Sequence, residues 1–194
     1  MKLQTQNIYF LSDSHFHHSN VISYDKREFT SVEEMNETMI LKWNKTIKPT
    51  DLVFYLGDFS FSRDKQKTKE LAHRLNGVIH YIMGNHDDYD TIKSLDRFES
   101  ISYYKEILVL DEDTEKRYQK IVMSHYPVAE WNQAHRGSFH LFGHTHHSFF
   151  KSEHGKLMKK YKMMDVGVNG YDYIPVSYQQ VKDYMKNKID IGHH

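Results

Sequence analysis

The sequence places polar residues of the Asp, Asn and His types directly after five short apolar runs. The clearest case is Gly84-Asn85-His86-Asp87, which follows the apolar run at 78–83. Short runs rich in β-branched and aromatic residues, bounded by turn residues, predict buried β-strands. Gly84 lets the backbone turn sharply where this strand ends. The other four polar segments are Asp13-Ser14-His15, Gly57-Asp58, Ser124-His125 and Gly143-His144-Thr145-His146.

The predicted strands alternate with predicted helices. Strands are expected at 8–11, 52–56, 78–83, 107–110, 121–123, 138–142 and 163–168. Helices are expected from the N-cap Ser31 to 45, at 64–75, at 89–95, and from the N-cap Ser177 to 187. This alternation predicts an α/β fold with a parallel or mixed sheet. Ligands bind beyond the carboxyl ends of the strands in such sheets, so the five polar segments are expected to meet at one edge.

The side chains expected at this edge suit divalent metal ions. They comprise two carboxylates, one amide and several imidazoles, and the chain has no cysteine to add a thiolate. In an extended chain, the spacing of Asp13 and His15 points both side chains to one side, as does that of His144 and His146. The ligands outnumber what one metal needs, so two metals are expected, with Asp58 as the natural bridge. Two metals about 3.5–4 Å apart can hold a bridging hydroxide for phosphoryl displacement.

Each of these residues alone would be interpreted more simply, since a single histidine after a strand is usually a surface or core residue. The joint occurrence of all five segments carries the metal-site hypothesis. The acidic stretch at 111–116 lacks the spaced oxygens of a calcium loop and is interpreted as a hairpin turn. The basic stretch at 149–162 is interpreted as a substrate-side loop or a mobile hairpin.

Composition limits the other function classes. A chain of 194 residues predicts one domain, 1–194, with a sizeable core. The 26 basic and 26 acidic residues balance, which gives no basis for a duplex nucleic-acid surface or an anionic-membrane surface. The absence of cysteine excludes disulfides and fits a reducing compartment. Because no signal pattern or membrane-spanning stretch is evident, we expect a cytoplasmic protein. His193 and His194 are set aside as a candidate expression tag.

The five segments, in this order over residues 13–146, resemble the calcineurin-like metallophosphoesterases, and in particular small bacterial and phage members. The resemblance implies a four-layer α/β/β/α sandwich with two mixed sheets and a dinuclear metal site at the carboxyl ends of the strands. It implies seven metal ligands: Asp13, His15 and His146 for one ion, Asn85, His125 and His144 for the other, and Asp58 as the bridge. His86 would be the catalytic histidine, and Asp87 would orient His86 through a ring nitrogen.

The resemblance is weaker for substrate contacts. The segment 57–63 lacks the second motif of the phosphoprotein phosphatases, which lowers the rank of a protein phosphatase. Relatives of the small bacterial type place His18 and Asn20 near the site, although both residues are equally well interpreted as loop residues. Arg27 is a candidate phosphate clamp because guanidinium groups pair with phosphate oxygens bidentately. A solvated loop arginine is the alternative.

We therefore expect a metal-dependent phosphoesterase that prefers phosphodiesters to monoesters. Manganese is favoured among manganese, iron, cobalt, nickel and zinc. His86 would protonate the leaving oxygen or stabilise the phosphoryl group. Five aromatic residues flank the motifs and could stack a nucleotide base, although aromatics beside strands usually belong to the core; they are Phe16, Tyr24, Phe59, Phe61 and Tyr126. The alternatives are a phosphomonoesterase acting on small molecules or phosphoproteins, and a non-catalytic scaffold of the same fold.

Overall fold

The computed structural model describes residues 1–3, 7–114 and 116–192. Glu115, His193 and His194 lie outside the described residues, so the interpretation of the last two as a tag is not addressed. The strands are β1 (Lys2–Leu3), β2 (Ile8–Leu11), β3 (Leu52–Tyr55), β4 (Val78–Ile82), β5 (Ser100–Ser102), β6 (Tyr104–Leu110), β7 (Tyr118–Ser124), β8 (Phe139–Phe142), β9 (Met163–Asp165) and β10 (Val176–Ser177). The α-helices are α1 (Ser19–Tyr24), α2 (Val32–Thr46), α3 (Lys65–His73), α4 (Tyr89–Ser94), α5 (Glu153–Met158) and α6 (Tyr178–Met185).

The strands form two five-stranded mixed sheets. One sheet has the order β10-β2-β3-β4-β5, in which β2 to β5 are parallel and β10 is antiparallel. The other has the order β1-β6-β7-β8-β9, in which only the β6–β7 pair is antiparallel. Leu110 pairs with Tyr118 at the end of this hairpin, which confirms the predicted turn between the two strands.

Three apolar clusters separate four layers. Helices α2 to α4 pack on the outer face of the first sheet, where the buried stripe of Met35, Met39 and Trp43 lies. The inner faces of the two sheets bury a second cluster between them. A third cluster lies on the outer face of the second sheet and contains Trp131 and Met158 of α5. The four-layer α/β/β/α architecture expected from the sequence is therefore confirmed.

Several boundaries follow directly from the sequence. The Ser31 side chain accepts a hydrogen bond from the Glu34 backbone N–H at the start of α2. Ser177 and Gln180 form a complete capping box at the start of α6. Asp64 caps α3 by accepting hydrogen bonds from two backbone N–H groups.

Other expectations are wrong in part. The predicted strand at 163–168 ends at Asp165 and is followed by a 3₁₀ turn at Val168–Gly170. The stretch at 149–162 is neither a loop nor a hairpin, because it forms a 3₁₀ turn at Phe149–Lys151 and then α5. Ser152 caps α5 by accepting a hydrogen bond from the Gly155 N–H.

No helix in the described part of the chain is long and apolar enough to cross a lipid bilayer.

The five polar segments follow β2, β3 and β4 of one sheet and β7 and β8 of the other, all at carboxyl ends that meet at one edge. Two glycines allow this close approach. A Cβ atom on Gly57, whose φ is +90°, would lie 2.5 Å from the Gly84 nitrogen and 2.8 Å from Nδ1 of His125. A Cβ atom on Gly143 would lie 2.6 Å from Oδ2 of Asp13. Larger residues at these positions would force the two sheet edges apart.

Candidate active site

The first group of predicted ligands comes together at the ends of β2 and β8. One ligand atom from each of Asp13, His15 and His146 lies within 4.8 Å of the others. The Nε2 atoms of His15 and His146 are 3.1 Å apart, and Nε2 of His146 is 3.8 Å from Oδ1 of Asp13. These nitrogen and oxygen atoms face a common point, which a cation could occupy.

The second group lies at the ends of β4, β7 and β8. Oδ1 of Asn85 is 2.8 Å from Nε2 of His125 and 2.8 Å from Nδ1 of His144. His125 also belongs to a cluster with Asp13 and Asp58 whose ligand atoms lie within 4.8 Å of one another. The structure therefore gathers an amide oxygen and two imidazole nitrogens in a second place.

Asp58 lies between the two groups. Its Oδ2 atom is 3.6 Å from Nε2 of His15 in the first group and 3.5 Å from Nε2 of His125 in the second. Its Oδ1 atom accepts a hydrogen bond from the backbone N–H of His86 at 3.0 Å. One carboxylate thus faces both groups while it also fixes the backbone of His86.

Hydrogen bonds at Nδ1 set the tautomers of two of these histidines. Nδ1 of His125 donates to the carbonyl of Leu56 at 2.7 Å, because a carbonyl can only accept. Nδ1 of His146 lies 2.8 Å from both carboxylate oxygens of Asp25. In the neutral imidazole, each ring then presents the lone pair of Nε2 to the centre of the site.

Five of the seven predicted ligands, all of which the structure describes, have a positive φ. The values are 59° for Asp13, 50° for His15, 60° for Asp58, 68° for His144 and 44° for His146. Non-glycine residues rarely adopt this left-handed conformation, and such strain concentrates at functional sites. The sequence-based explanation that an extended chain brings Asp13 and His15, or His144 and His146, to one side is therefore wrong. The left-handed turns place these side chains, and His144 and His146 face different groups.

Burial strongly shifts the pKa values of Asp13 and His15. It raises the pKa of Asp13 to about 7 and lowers the pKa of His15 to about 3, because both charged forms lose their hydration. Burial also acts to raise the pKa of Asp58, but the hydrogen bond and charge of His125 outweigh it and hold the pKa at about 2. No Lys or Arg side chain within residues 1–3, 7–114 and 116–192 hydrogen-bonds the carboxylate of Asp13 or Asp58.

This donor set fits divalent metal ions. Buried carboxylates without a cationic side chain are costly unless they hold a metal. The imidazole nitrogens, carboxylates and amide oxygen suit ions such as manganese, iron or zinc. The two groups of candidate ligand atoms both face the carboxylate of Asp58.

His86 lies at the exposed mouth of this arrangement. Its ring centroid is 5.6 Å from that of His15 and 5.3 Å from that of Phe61. Its backbone is fixed by Asp58, as described above. The ring is thus adjacent to the ligand groups and open to an incoming molecule.

The expected role of Asp87 is corrected by the structure. Its carboxylate accepts hydrogen bonds from the backbone N–H groups of Asp58, Phe59 and Gly84 and from the hydroxyl of Tyr81, at 2.7–3.3 Å. Both oxygens are used in these contacts, so the prediction that Asp87 orients a ring nitrogen of His86 is wrong. Asp87 instead joins the segment after β3 to the turn after β4.

The phosphate-clamp expectation for Arg27 is also wrong, as is the alternative of a solvated arginine. The residue is only 5% exposed. Its guanidinium group donates to the backbone carbonyls of Ser14 at 2.8 Å and Asp13 at 2.9 Å, and to Oδ2 of Asp25 at 3.1 Å. Arg27 therefore supports the backbone of the first polar segment from behind and does not face the site.

Sequence reasoning missed Asp25, which follows α1. Its carboxylate contacts His146 as described and also accepts hydrogen bonds from Arg27 and from the Asn169 amide at 2.8 Å. Burial acts to raise its pKa, but the hydrogen bonds from His146 and Asn169 outweigh burial and hold the pKa at about 2. The sequence showed Asp25 only as an acidic residue in a polar loop, and this pattern does not indicate contact with a histidine 121 positions away.

His18 and Asn20 lie beside the candidate ligand groups. Both line a cavity of about 390 Å³ that is also lined by His15, Asp58, His86 and His146.

The five aromatic residues near the motifs divide into two classes. Phe16 and Phe59 are buried in the core, whereas Tyr24, Phe61 and Tyr126 are 74%, 47% and 49% exposed.

Known proteins share the sequence pattern and the fold of this chain. A model of the calcineurin-like phosphoesterase superfamily domain matches residues 7–161. An uncharacterized protein of Methanocaldococcus jannaschii is 35% identical over 176 residues, which cover 90% of this chain and 89% of that protein. The crystal structure of a protein of unknown function from Aquifex aeolicus superimposes with a TM-score of 0.68, covering 91% of this chain and 97% of that one. Its sequence identity of 23% supports similarity of fold alone.

Proposed function

We infer the reaction from the premise that the chain belongs to the calcineurin-like phosphoesterase superfamily, whose domain model matches residues 7–161. Membership implies metal-dependent hydrolysis of phosphoesters. Beyond this, we propose that the enzyme is a phosphodiesterase that uses two divalent ions. The observation that carries the proposal is the position of Asp58, whose Oδ2 lies 3.6 Å from His15 Nε2 and 3.5 Å from His125 Nε2.

The proposed ligand assignment follows the two groups of atoms. Asp58 would be shared by the two ions, and the remaining ligands would be Asp13, His15 and His146 for one ion and Asn85, His125 and His144 for the other. When bound, two such ions activate water and neutralise charge on the phosphoryl oxygens. The contacts of His125 with Leu56 and of His146 with Asp25 keep the Nε2 lone pairs available for binding.

His86 is the proposed general acid. Its ring is exposed at the mouth of the cavity, while its backbone is held by Asp58. A ring nitrogen at this place can deliver a proton to the oxygen that leaves phosphorus. Asp87 and Arg27 have supporting roles, because they fix the backbone of the segments that carry Asp58 and Asp13.

Two features support a diester in preference to a monoester. Two exposed aromatic rings lie beside different parts of the site. The ring centroid of Phe61 is 5.3 Å from that of His86, and the ring centroid of Tyr126 is 4.6 Å from that of His144. A diester carries two organic substituents that could use these two surfaces, whereas a monoester carries one. In addition, no Lys or Arg is found among the described residues that line the cavity of about 390 Å³, which fits the single charge of a diester.

Parallel assays of bis-p-nitrophenyl phosphate and p-nitrophenyl phosphate test this proposal. The protein would be stripped of metal and reloaded with manganese. We expect faster turnover of the diester, dependence on metal, and a loss of about 10²- to 10⁴-fold in the His86→Ala variant. The matched control is His154→Ala, which removes an exposed histidine of α5 and should leave turnover unchanged.

The other outcomes decide against the proposal. Faster turnover of the monoester would identify a phosphatase. Absence of turnover of both compounds by protein that holds two metal ions would support the non-catalytic scaffold.

A further inference from the structure

We propose that Phe61 and His18 form an aromatic platform that binds the base of a nucleoside, and that this nucleoside is the leaving group of the phosphodiester. The inference rests on the proposed phosphodiesterase function and specifies its substrate class. We call these two side chains the Phe61–His18 platform.

The two rings are stacked on each other. Their centroids are 4.1 Å apart and their planes differ by 15°. Nδ1 of His18 is buried and has no hydrogen-bond partner in the part of the chain that the structure describes. Stacking on Phe61, and not a hydrogen bond at this nitrogen, therefore holds the imidazole. The two rings form one stack, and a base would extend this stack on an outer face of the pair.

The platform is fixed to the candidate metal site through the backbone. The Phe61 N–H donates to the Phe16 carbonyl at 2.9 Å, and the hydroxyl of Ser60 donates to the same carbonyl at 3.1 Å. Phe16 follows the Asp13-Ser14-His15 segment directly, and His18, two residues later, is the N-cap residue of α1. Because the platform is attached to the segment that carries Asp13 and His15, a base stacked on it would lie at a fixed distance from the candidate metal ligands.

The exposure of Phe61 points to a ligand. Phe59, two residues earlier, is completely buried, whereas Phe61 is 47% exposed at the cavity. Tyr24 lies edge-on to His18 at 6.3 Å and is also exposed. Every nucleobase has an aromatic face that can stack on such rings. The amide of Asn20, which lines the same cavity, can both donate to and accept from the edge of a base.

The platform lies on the leaving-group side because it adjoins His86. In the hydrolysis, an oxygen from water bonds to phosphorus, the bond from phosphorus to the ester oxygen breaks, and His86 supplies the proton to that oxygen. The Phe61 and His86 centroids are 5.3 Å apart. The sugar of the nucleoside, which joins the released oxygen to the base, would then lie between His86 and the Phe61–His18 platform.

Two methyl diesters test the inference: adenosine 5′-(methyl phosphate) and ribose 5-(methyl phosphate), which lacks the base. We expect kcat/KM for the adenosine ester to exceed that for the ribose ester by about 5- to 150-fold, the range that stacking of one base provides. The expected products are adenosine and methyl phosphate. In Phe61→Ala the ratio of the two kcat/KM values should approach one.

Two further variants serve as controls. Phe61→Trp retains an aromatic face and should keep the preference for the adenosine ester. Tyr103→Ala removes a 67% exposed aromatic residue outside the cavity and should leave the ratio unchanged.

Equal rates for the two esters, a preference that survives in Phe61→Ala, or release of adenosine monophosphate and methanol would overturn the inference. So would absence of turnover of both methyl esters by protein that hydrolyses bis-p-nitrophenyl phosphate. In each of these cases the phosphodiesterase proposal stands. It fails separately, if bis-p-nitrophenyl phosphate itself is not hydrolysed by metal-loaded protein.

Discussion

Nδ1 of His146 lies 2.8 Å from both carboxylate oxygens of Asp25, although the two residues are 121 positions apart in the chain. A carboxylate in this position sets the tautomer and the orientation of the imidazole, and it makes the opposite nitrogen a better ligand. Arg27 and Asn169 hold the carboxylate in turn. Asp25 is thus a positioning residue for a proposed metal ligand.

Removal of the Asp25 carboxylate should weaken binding of one metal ion. We expect Asp25→Ala to reduce manganese affinity at that position by about 10- to 100-fold, because His146 loses its orienting partner. Titration calorimetry of metal-free protein measures the two affinities. Asp172→Asn, which alters an exposed carboxylate paired with Lys42, is the control. Unchanged affinities in Asp25→Ala would show that the contact with His146 is incidental.

The buried position of Arg27 predicts a defect of stability. Arg27→Ala should cost about 3–5 kcal/mol, since it leaves the carbonyls of Asp13 and Ser14 without their donor and removes the guanidinium partner of the Asp25 carboxylate. For a chain of this size the Tm would fall by about 6–20 °C. Arg63→Ala, which removes an exposed arginine, should change the Tm by less than about 2 °C. A raised KM with an unchanged Tm in Arg27→Ala would restore the phosphate clamp.

Asp87 should behave as a structural residue. Asp87→Ala leaves the backbone N–H groups of Asp58 and Gly84 without their acceptor and removes one of the two acceptors of the Phe59 N–H, and we expect a loss of about 3 kcal/mol or more. Metal content after dialysis should also fall, because the segment that carries Asp58 loses its anchor. Thermal unfolding and metal analysis measure the two effects. A variant with normal Tm and normal metal content but little activity would instead indicate a catalytic role.

The network at Asp111 predicts a dependence of stability on pH. Its carboxylate accepts hydrogen bonds from Tyr178 at 2.6 Å and Lys182 at 2.8 Å, which tie α6 to the end of β6. Burial acts to raise the pKa of Asp111, but these contacts outweigh it and lower the pKa. The stabilisation is therefore complete above the unfolded pKa of about 3.9 and is lost as the pH falls through the lower folded value.

Asp111→Asn should accordingly lower the Tm at pH 7, and the difference from the unaltered protein should shrink below about pH 4. Scanning calorimetry across this range measures it. Asp190→Asn, which alters an exposed carboxylate, should show no such convergence. A Tm difference that persists unchanged at acid pH would contradict the assigned role of Asp111.

The sequence located most of the candidate site because each of the five polar segments follows its strand directly. A local pattern was enough for Asp58 or His125. It was not enough for Asp25 and Arg27, whose loop packs behind the Asp13 segment only through tertiary contacts. The left-handed backbone of Asp13 and His15 also gave no signal, because neither residue is a glycine.

Short elements and aromatic residues show a similar limit. Strands β1 and β10 contain two residues each, too few to show a periodicity, and they exist through pairing with β6 and β2. Strand β3 is apolar throughout and ends at Tyr55, after which Gly57 turns the chain. Periodicity therefore could not separate the buried Phe59 from the exposed Phe61.

The most direct test of the account is the metal content of dialysed protein, measured by plasma mass spectrometry for the unaltered chain and for Asp58→Ala. We expect two manganese ions per chain in the unaltered protein, and at most one in Asp58→Ala, because Oδ2 of Asp58 faces both groups of ligands. One ion or none in the unaltered protein, or two ions retained in Asp58→Ala, would contradict the shared dinuclear site.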